Sequence, residues 1–221
     1  MRMRKKKHGA ERIAACAELL IAQSSLPTQD PQTCFPVAQP LQLEIGCGKG
    51  DFAVGMAAAH PDRNWIAMER VSDVACLALE KAMATKDSRP DNLRFLIGDA
   101  KNLTEWFPPH TFETLYLNFS DPWPKSGHAR RRLTHPDFLT LYRRLLQPDG
   151  LLRFKTDNEG LFDYSLEQFA ACGLPVEWMT RDLHASDRAE GNIMTEYERN
   201  FSEKGQKIFS AWVRFPKEEM L

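Results

Sequence analysis

A short strand pattern, Leu41 to Ile45, stops at Gly46-Cys47-Gly48-Lys49-Gly50 and gives way to a helical pattern from about Asp51 to Ala59. This glycine-rich turn between a strand pattern and a helix pattern constrains the chain more than any other feature. It puts bare backbone at the carboxyl end of a strand, beside the free N–H groups that open a helix. In open α/β sheets that end is where ligands bind. The rest of the chain repeats the alternation, with Trp65–Glu69, Leu93–Ile97, Thr114–Phe119 and Leu151–Lys155 reading as further strands. Val74, Leu77, Leu79 and Met83 mark one intervening helix. Phe138, Leu141, Tyr142 and Leu145 mark a second, and Phe162, Leu166 and Phe169 a third, all at helical spacing. Val176–Asp182 and Ile208–Phe215 are placed to close the sheet. The alternation predicts an α/β fold, a mostly parallel sheet with helices on both faces.

The 221 residues suit one such domain, predicted to span 41–221. Residues 1–40 read as a basic arm (Arg2 to Lys7), a short amphipathic helix, and a linker over 24–40 that carries four prolines. The arm and the apolar stretch Ile13 to Ala22 mimic a signal peptide, but Glu18 interrupts the stretch and no convincing cleavage pattern follows. The balance of 29 Lys+Arg against 30 Asp+Glu excludes a uniformly basic nucleic-acid coat and leaves room for a local patch. The five cysteines, at 16, 34, 47, 76 and 172, contain no C-x-x-C pair, which argues against a disulfide framework and a zinc site. Reduced cysteines predict a cytoplasmic protein, and no apolar run approaches the ~20 residues of a membrane span.

A dinucleotide fingerprint needs its third glycine at position 51, where this chain has Asp51, a carboxylate that would meet a pyrophosphate. A phosphate-cradling loop is excluded too, because Gly-Lys-Ser/Thr is absent. Three acids fall at strand ends instead. Glu69, twenty-three residues after Gly46, can accept both hydroxyls of a ribose. Glu44 can face an ammonium group, and Asp99 in Gly98-Asp99-Ala100 can accept from an adenine amino group. A cationic, adenosine-bearing ligand suits all three, and S-adenosyl-L-methionine is one. The plainer reading of each acid alone is a helix cap.

Asn118-Phe119-Ser120-Asp121-Pro122-Trp123-Pro124-Lys125 follows the fourth strand. Its prolines stiffen the loop, and an acid beside a rigid aromatic suits a flat heterocycle carrying positive charge. Trp123 is a candidate stacking partner for the base. Lys125 and Arg130-Arg131-Arg132 then form a run of four cations with no acid between Pro122 and Pro136, a candidate phosphate-binding loop with a flexible start at Gly127. Asp157 before a helix and the Thr195-Glu196-Tyr197-Glu198 capping-box pattern read first as caps.

Taken together, LEIGCGKG (43–50), GDA (98–100), LNFSDPWPK (117–125), RRRL (130–133), FKTDN (154–158) and EGNIMTEYE (190–198) resemble the bacterial tRNA (guanine-N7-)-methyltransferases of the TrmB type. The resemblance runs from about Leu41 to the C-terminus, and NFSDPWPK is its most specific part. It implies a Rossmann-like class I methyltransferase fold whose mostly parallel seven-stranded sheet ends in one antiparallel strand. It implies methyl transfer from S-adenosyl-L-methionine to N7 of guanine 46 in the tRNA variable loop, with no metal and no membrane. By position it implies a catalytic Asp121 and cofactor contacts at Glu44, Gly46, Gly48, Glu69, Asp99 and Asp121. Substrate contacts fall on Lys125, Asp157, Thr195, Glu196, Tyr197 and Glu198, and an RNA-interaction segment on Gly127, His128, Ala129, Arg130, Arg131 and Arg132. Two alternatives stay open on the residues alone: methylation of another base nitrogen, and a non-catalytic RNA-binding scaffold. Monomer and homodimer are equally compatible with the sequence.

Overall fold

The computed structural model describes residues 6–84 and 90–217, and the chain divides into two compact units, residues 1–108 and 109–221. Of the basic arm, Arg2, Arg4 and Lys5 lie outside the described residues.

In the first unit, strands β1 (Leu41–Ile45), β2 (Asn64–Glu69) and β3 (Leu93–Ile97) lie side by side in the order β3-β2-β1, all parallel. Every residue of β1 is buried, the near-continuous burial of a parallel strand covered on both faces. The helices are α1 (Gly9–Ala14), α2 (Asp51–Ala59), α3 (Ser72–Ala84) and the short α4 (Leu103–Trp106). The face that α3 buries is Ala75, Cys76, Ala78, Leu79 and Ala82; of the predicted Val74–Leu77–Leu79–Met83 stripe only Leu79 is buried. Small residues win here because the helix runs close to the glycine turn. A Cβ added to Gly50 would lie 2.9 Å from the Ala78 Cβ, a contact no larger pair could make.

The described residues of the stretch predicted as arm and linker pack within this unit. Ile21 N donates to Phe95 O (2.8 Å), and Leu20 bridges to Phe95 as a parallel addition beside β3. Arg12 meets Glu80 of α3 in a two-pronged pair, both contacts 2.6 Å. Asn64 Nδ2 donates to Gln32 Oε1 and Val37 O (2.9 and 2.8 Å), tying down the proline-bearing stretch. By contacts the described residues before Leu41 fall in the same unit as those up to Pro108. Prolines at 27, 31, 36 and 40 signalled a linker, but Pro31 and Phe35 are buried.

In the second unit, β4 (Phe112–Asn118), β5 (Leu146–Thr156), β6 (Val176–Thr180) and β7 (Phe209–Phe215) stand in the order β4-β5-β7-β6. β4 and β5 are parallel, and β7 runs antiparallel to both β5 and β6. α5 (Pro136–Leu145) starts where Pro136 fits the first helical turn and His135 Nδ1 accepts from Asp137 N. It buries Phe138, Leu139, Tyr142 and Leu145, close to the predicted stripe. α6 (Glu159–Ala171) presents Phe162 to Phe154 of β5 and Phe209 of β7, with ring centroids 6.2 and 5.3 Å apart. The last helix, α7 (Glu196–Ser202), precedes β7.

Candidate active site

The first unit gathers its acids at one edge. Ile45 pairs with Met68 and Glu69 with Ile97, so the carboxyl ends of the three parallel strands coincide, and Glu44, Glu69 and Asp99 stand at or beside those ends. The glycine turn closes on the same edge. Gly46 N and Cys47 N both donate to Met68 O, at 2.8 and 2.9 Å. Glu69 accepts from Gly48 N through Oε2 (3.1 Å) and from Val71 N through Oε1 (2.9 Å). Its carboxylate thus fixes the turn while keeping further lone pairs to accept with. Gly46 and Gly48 have φ of +83° and +57°, and an added Cβ at either meets nothing within 4 Å. The turn therefore faces open space, bordered by carboxylates. That combination fits a cation bearing a diol and an amino group. Asp99 also accepts from Lys101 N (3.0 Å), so the capping role read from the sequence is real. Burial, with Glu44 and Glu69 close by, pushes the Cys47 thiol well up, which keeps it neutral and makes it packing.

The loop after β4 belongs to the second unit and is conformationally unusual. Phe119 and Trp123 both adopt left-handed backbone (φ 55° and 41°), on either side of Ser120-Asp121-Pro122. Bulky residues rarely do so, and such strain persists only where surrounding contacts impose it. One such contact is Phe119 N donating to Lys155 O of β5 at 2.9 Å. Asp121 is exposed between the two aromatics.

Ser126–Arg131 forms a 3-10 helix that includes Gly127. Its cations divide. Lys125, Gly127 and Arg130 are exposed, while His128 and Ala129 are half-buried. Arg131 lays its guanidinium over the Trp123 ring (4.8 Å to the centroid), and His128 meets the same ring edge-on at 5.8 Å. The ring expected to stack on a base therefore already carries a cation. Arg132 turns inward, to Pro122 O and Trp123 O.

At the end of β5, Asn158 rather than Asp157 caps α6, its Oδ1 accepting from Leu161 N at 2.8 Å. Asp157 is engaged instead by Tyr197, whose hydroxyl donates to Oδ2 at 3.0 Å. Burial and the Asp157 carboxylate push the Tyr197 phenol up to about 12, so it stays a donor at any ordinary pH. Tyr197 also stacks on Phe201 (4.2 Å between centroids) and leans on Phe119 (5.1 Å), yet stays 42% exposed. Thr195 caps α7 by accepting from Glu198 N at 2.9 Å. Glu196 is half-buried in the first turn of α7.

Only half of the capping box forms. Glu198, expected at the substrate, is fully buried and points its carboxylate into a polar cluster. Oε2 accepts from Lys155 Nζ (2.8 Å), while Oε1 lies 2.6 Å from Asn192 Nδ2 and 2.9 Å from His184 Nε2. Burial alone would raise this carboxyl, but Lys155, with the hydrogen bonds from Lys155, His184 and Asn192, outweighs it and the net shift is downward.

The comparisons with known proteins now bear on these two loops. A family model described as "Putative methyltransferase" matches residues 38–211. The tRNA (guanine-N(7)-)-methyltransferase of Latilactobacillus sakei subsp. sakei (strain 23K) is 43% identical over 95% of this chain and 97% of its own length. That of Lacticaseibacillus casei (strain BL23) is 41% identical over 97% of this chain and 99% of its own. This chain belongs to the tRNA (guanine-N(7)-)-methyltransferase family. A solved 16S rRNA (adenine(1408)-N(1))-methyltransferase from Catenulisporales acidiphilia, with cosubstrate SAM, superposes at a TM-score of 0.57. At 13% identity, over 98% of this chain and 95% of that one, it shows the fold: seven strands, mostly parallel, of the Rossmann-like class I type.

Within this family member, the polar cluster around Glu198 is what sequence reasoning missed. Lys155, Asn192 and His184 received no role. A signal was present in Lys155, a cation at the end of a strand pattern and next to Phe154, because a buried ammonium requires a buried partner. Among the described residues, no group of His, Cys, Asp and Glu is arranged to hold a metal, and no helix is long and apolar enough to cross a membrane.

Proposed function

We propose that this chain methylates N7 of guanine 46 in the variable loop of tRNA, using S-adenosyl-L-methionine, in the cytoplasm. The observation that carries the reading is its 43% identity, over nearly all of both chains, to a relative named for that chemistry. The open, acid-bordered glycine turn supports the cofactor. Glu69 would take the ribose hydroxyls, Asp99 the adenine amino group and Glu44 the ammonium, with Gly46 and Gly48 leaving room beside them. When bound, S-adenosyl-L-methionine supplies an electrophilic methyl group on a sulfonium.

The chain's own residues then have a limited task. Guanine N7 carries an exposed lone pair, so no side chain has to remove a proton first. The base gains positive charge as it reacts, and a fixed carboxylate lowers the energy of that charge. Asp121 fills this role, held by a loop whose strained backbone gives it one orientation, and it adds a contact to the cofactor. Asp157, oriented by Tyr197, and Thr195 with Glu196 hold the guanine and its neighbours. Glu198 supports them from inside. Lys125, Arg130 and Arg131, with the turn Gly127-His128-Ala129 that presents them, attract the tRNA backbone. Alignment of this kind contributes much of the rate in two-substrate reactions.

The test is transfer from labelled S-adenosyl-L-methionine to unmodified tRNA, with the labelled nucleoside identified. N7-methylguanosine from the variable loop is the expected product. Label on another base nitrogen would overturn the choice of atom. Absence of label with the cofactor demonstrably bound would overturn the enzymatic reading itself.

A further inference from the structure

We propose that Arg132 is a positioning residue for the Asp121 loop and not an RNA contact, so the basic run divides into a part that meets phosphate and a part that shapes the site. This rests on the function proposed above. In sequence the three consecutive arginines are equivalent. In the structure they are not. Arg132 Nε donates to Pro122 O (3.1 Å) and Nη2 donates to Trp123 O (3.0 Å), the carbonyls of the two residues that follow Asp121. The guanidinium plane rests on Tyr164 of α6, 4.2 Å from the ring centroid. Its own backbone is fastened on both sides, with Arg132 N donating to Ala129 O and His135 N donating to Arg132 O, each at 3.0 Å.

The loop needs such a clamp. Pro122 has no N–H, and Phe119 and Trp123 sit in left-handed backbone that bulky side chains adopt only under constraint. A guanidinium suits the task because its planar fork reaches two carbonyls at once while its face stacks on an aromatic. With two of its five N–H donors on these carbonyls, the Nε–Nη2 edge that would grip a phosphate side-on is taken up by the loop. Arg130, two residues earlier, is exposed, as an RNA-facing cation would be.

The experiment compares Arg132→Ala, Arg132→Lys and Arg130→Ala in the full-length protein, after the wild type has been shown to make N7-methylguanosine. A wild type that makes none removes the function proposed above, before any variant is scored. Turnover at saturating tRNA, tRNA affinity across a salt series and cofactor affinity are measured for each. Arg132→Ala should lose roughly a hundredfold in kcat, the size expected for a misplacement of about 1 Å. Its salt dependence of tRNA binding should match the wild type. Arg132→Lys, which can reach one carbonyl but cannot stack as a plane, should recover only part of kcat. Arg130→Ala should weaken tRNA binding and flatten the salt slope by about one phosphate contact, roughly 0.7–0.9 in log–log units. A flattened slope with unchanged kcat in Arg132→Ala would overturn the proposal. If Arg132→Ala fails to fold, Tyr164→Leu carries the test by removing the stacking surface alone. It should lower kcat with the salt slope kept, and an unchanged kcat there overturns the proposal equally.

Discussion

Lys155 Nζ lies 2.8 Å from Oε2 of Glu198, with the two side chains 8% and 0% exposed. The same ammonium donates to Asn192 Oδ1 (2.9 Å) and Ile193 O (3.2 Å), so one cation ties β5 to the segment that leads into α7. Replacing Lys155 by Met would leave a buried carboxylate without its cation, and removing one partner of such a pair costs about 3–5 kcal/mol. We expect Lys155→Met to lose that much in urea denaturation. Lys155→Met/Glu198→Leu should lose clearly less than the sum of the two single changes, because neither charge is then stranded. Simple additivity would show that the pair is not coupled.

The same cluster sets a dependence on acid. Burial raises the Glu198 carboxyl, Lys155 and the surrounding hydrogen bonds lower it further, and the folded value lies below the unfolded one. A carboxyl of that kind contributes stability above its unfolded value, about 4.3. The contribution fades as pH falls past that value and is gone below the lowered folded value. Unfolding free energy measured from pH 7 to pH 3 should therefore fall less steeply for Glu198→Gln than for the wild type. Parallel curves would mean that Glu198 carries no linkage.

Much of this was legible in the chain, for reasons that differ by element. β1, β3 and α2 appear with the predicted bounds because apolar residues dominate both short strands and the glycine turn marks where β1 ends and α2 begins. Glu44, Glu69 and Asp99 stand together at the strand ends, a placement that sequence order gives without any knowledge of packing. The buried face of α3 was misread, since its alanines signal closeness to Gly50 only once the two are seen together. The same limit applies to Arg131, Arg132 and Glu198. Sequence shows a charge, but what it faces depends on partners such as Trp123, Pro122 and Lys155, the last 43 positions from Glu198. Asp157 shows the converse, because Asn158 beside it took the cap that sequence had offered to Asp157.

Gly50 illustrates how tightly the glycine turn is set. Its φ is +80°, and an added Cβ would approach Ala78 Cβ to 2.9 Å and Ala78 Cα to 3.3 Å. Left-handed strain of about 1–2 kcal/mol adds to overpacking of about 1–3 kcal/mol. We expect Gly50→Ala to destabilise the protein by about 2–5 kcal/mol and to weaken cofactor binding by shifting α2 relative to α3. Gly48→Ala meets open space, so it should cost only the backbone strain while still intruding where the cofactor is proposed to lie. Calorimetry with and without S-adenosyl-L-methionine separates the two. Equal losses of stability would contradict the packing argument.

Asp121 tests the chemistry most directly. Asp121→Asn keeps the size and shape of the side chain and removes the carboxylate, while Pro122, Arg132 and the turn at Phe119 continue to define the loop. If the carboxylate stabilises the charge that grows on guanine, kcat should fall about 10²–10³-fold, the range seen when one preorganised electrostatic group is removed. Cofactor affinity should persist in weakened form, because Glu44, Glu69 and Asp99 are untouched. Single-turnover methyl transfer and direct titration with S-adenosyl-L-methionine give the two numbers independently. Turnover within a few-fold of the wild type would move the catalytic assignment away from Asp121. A loss of cofactor binding as large as the loss in rate would instead make Asp121 chiefly a binding residue, with alignment rather than charge stabilisation as its contribution.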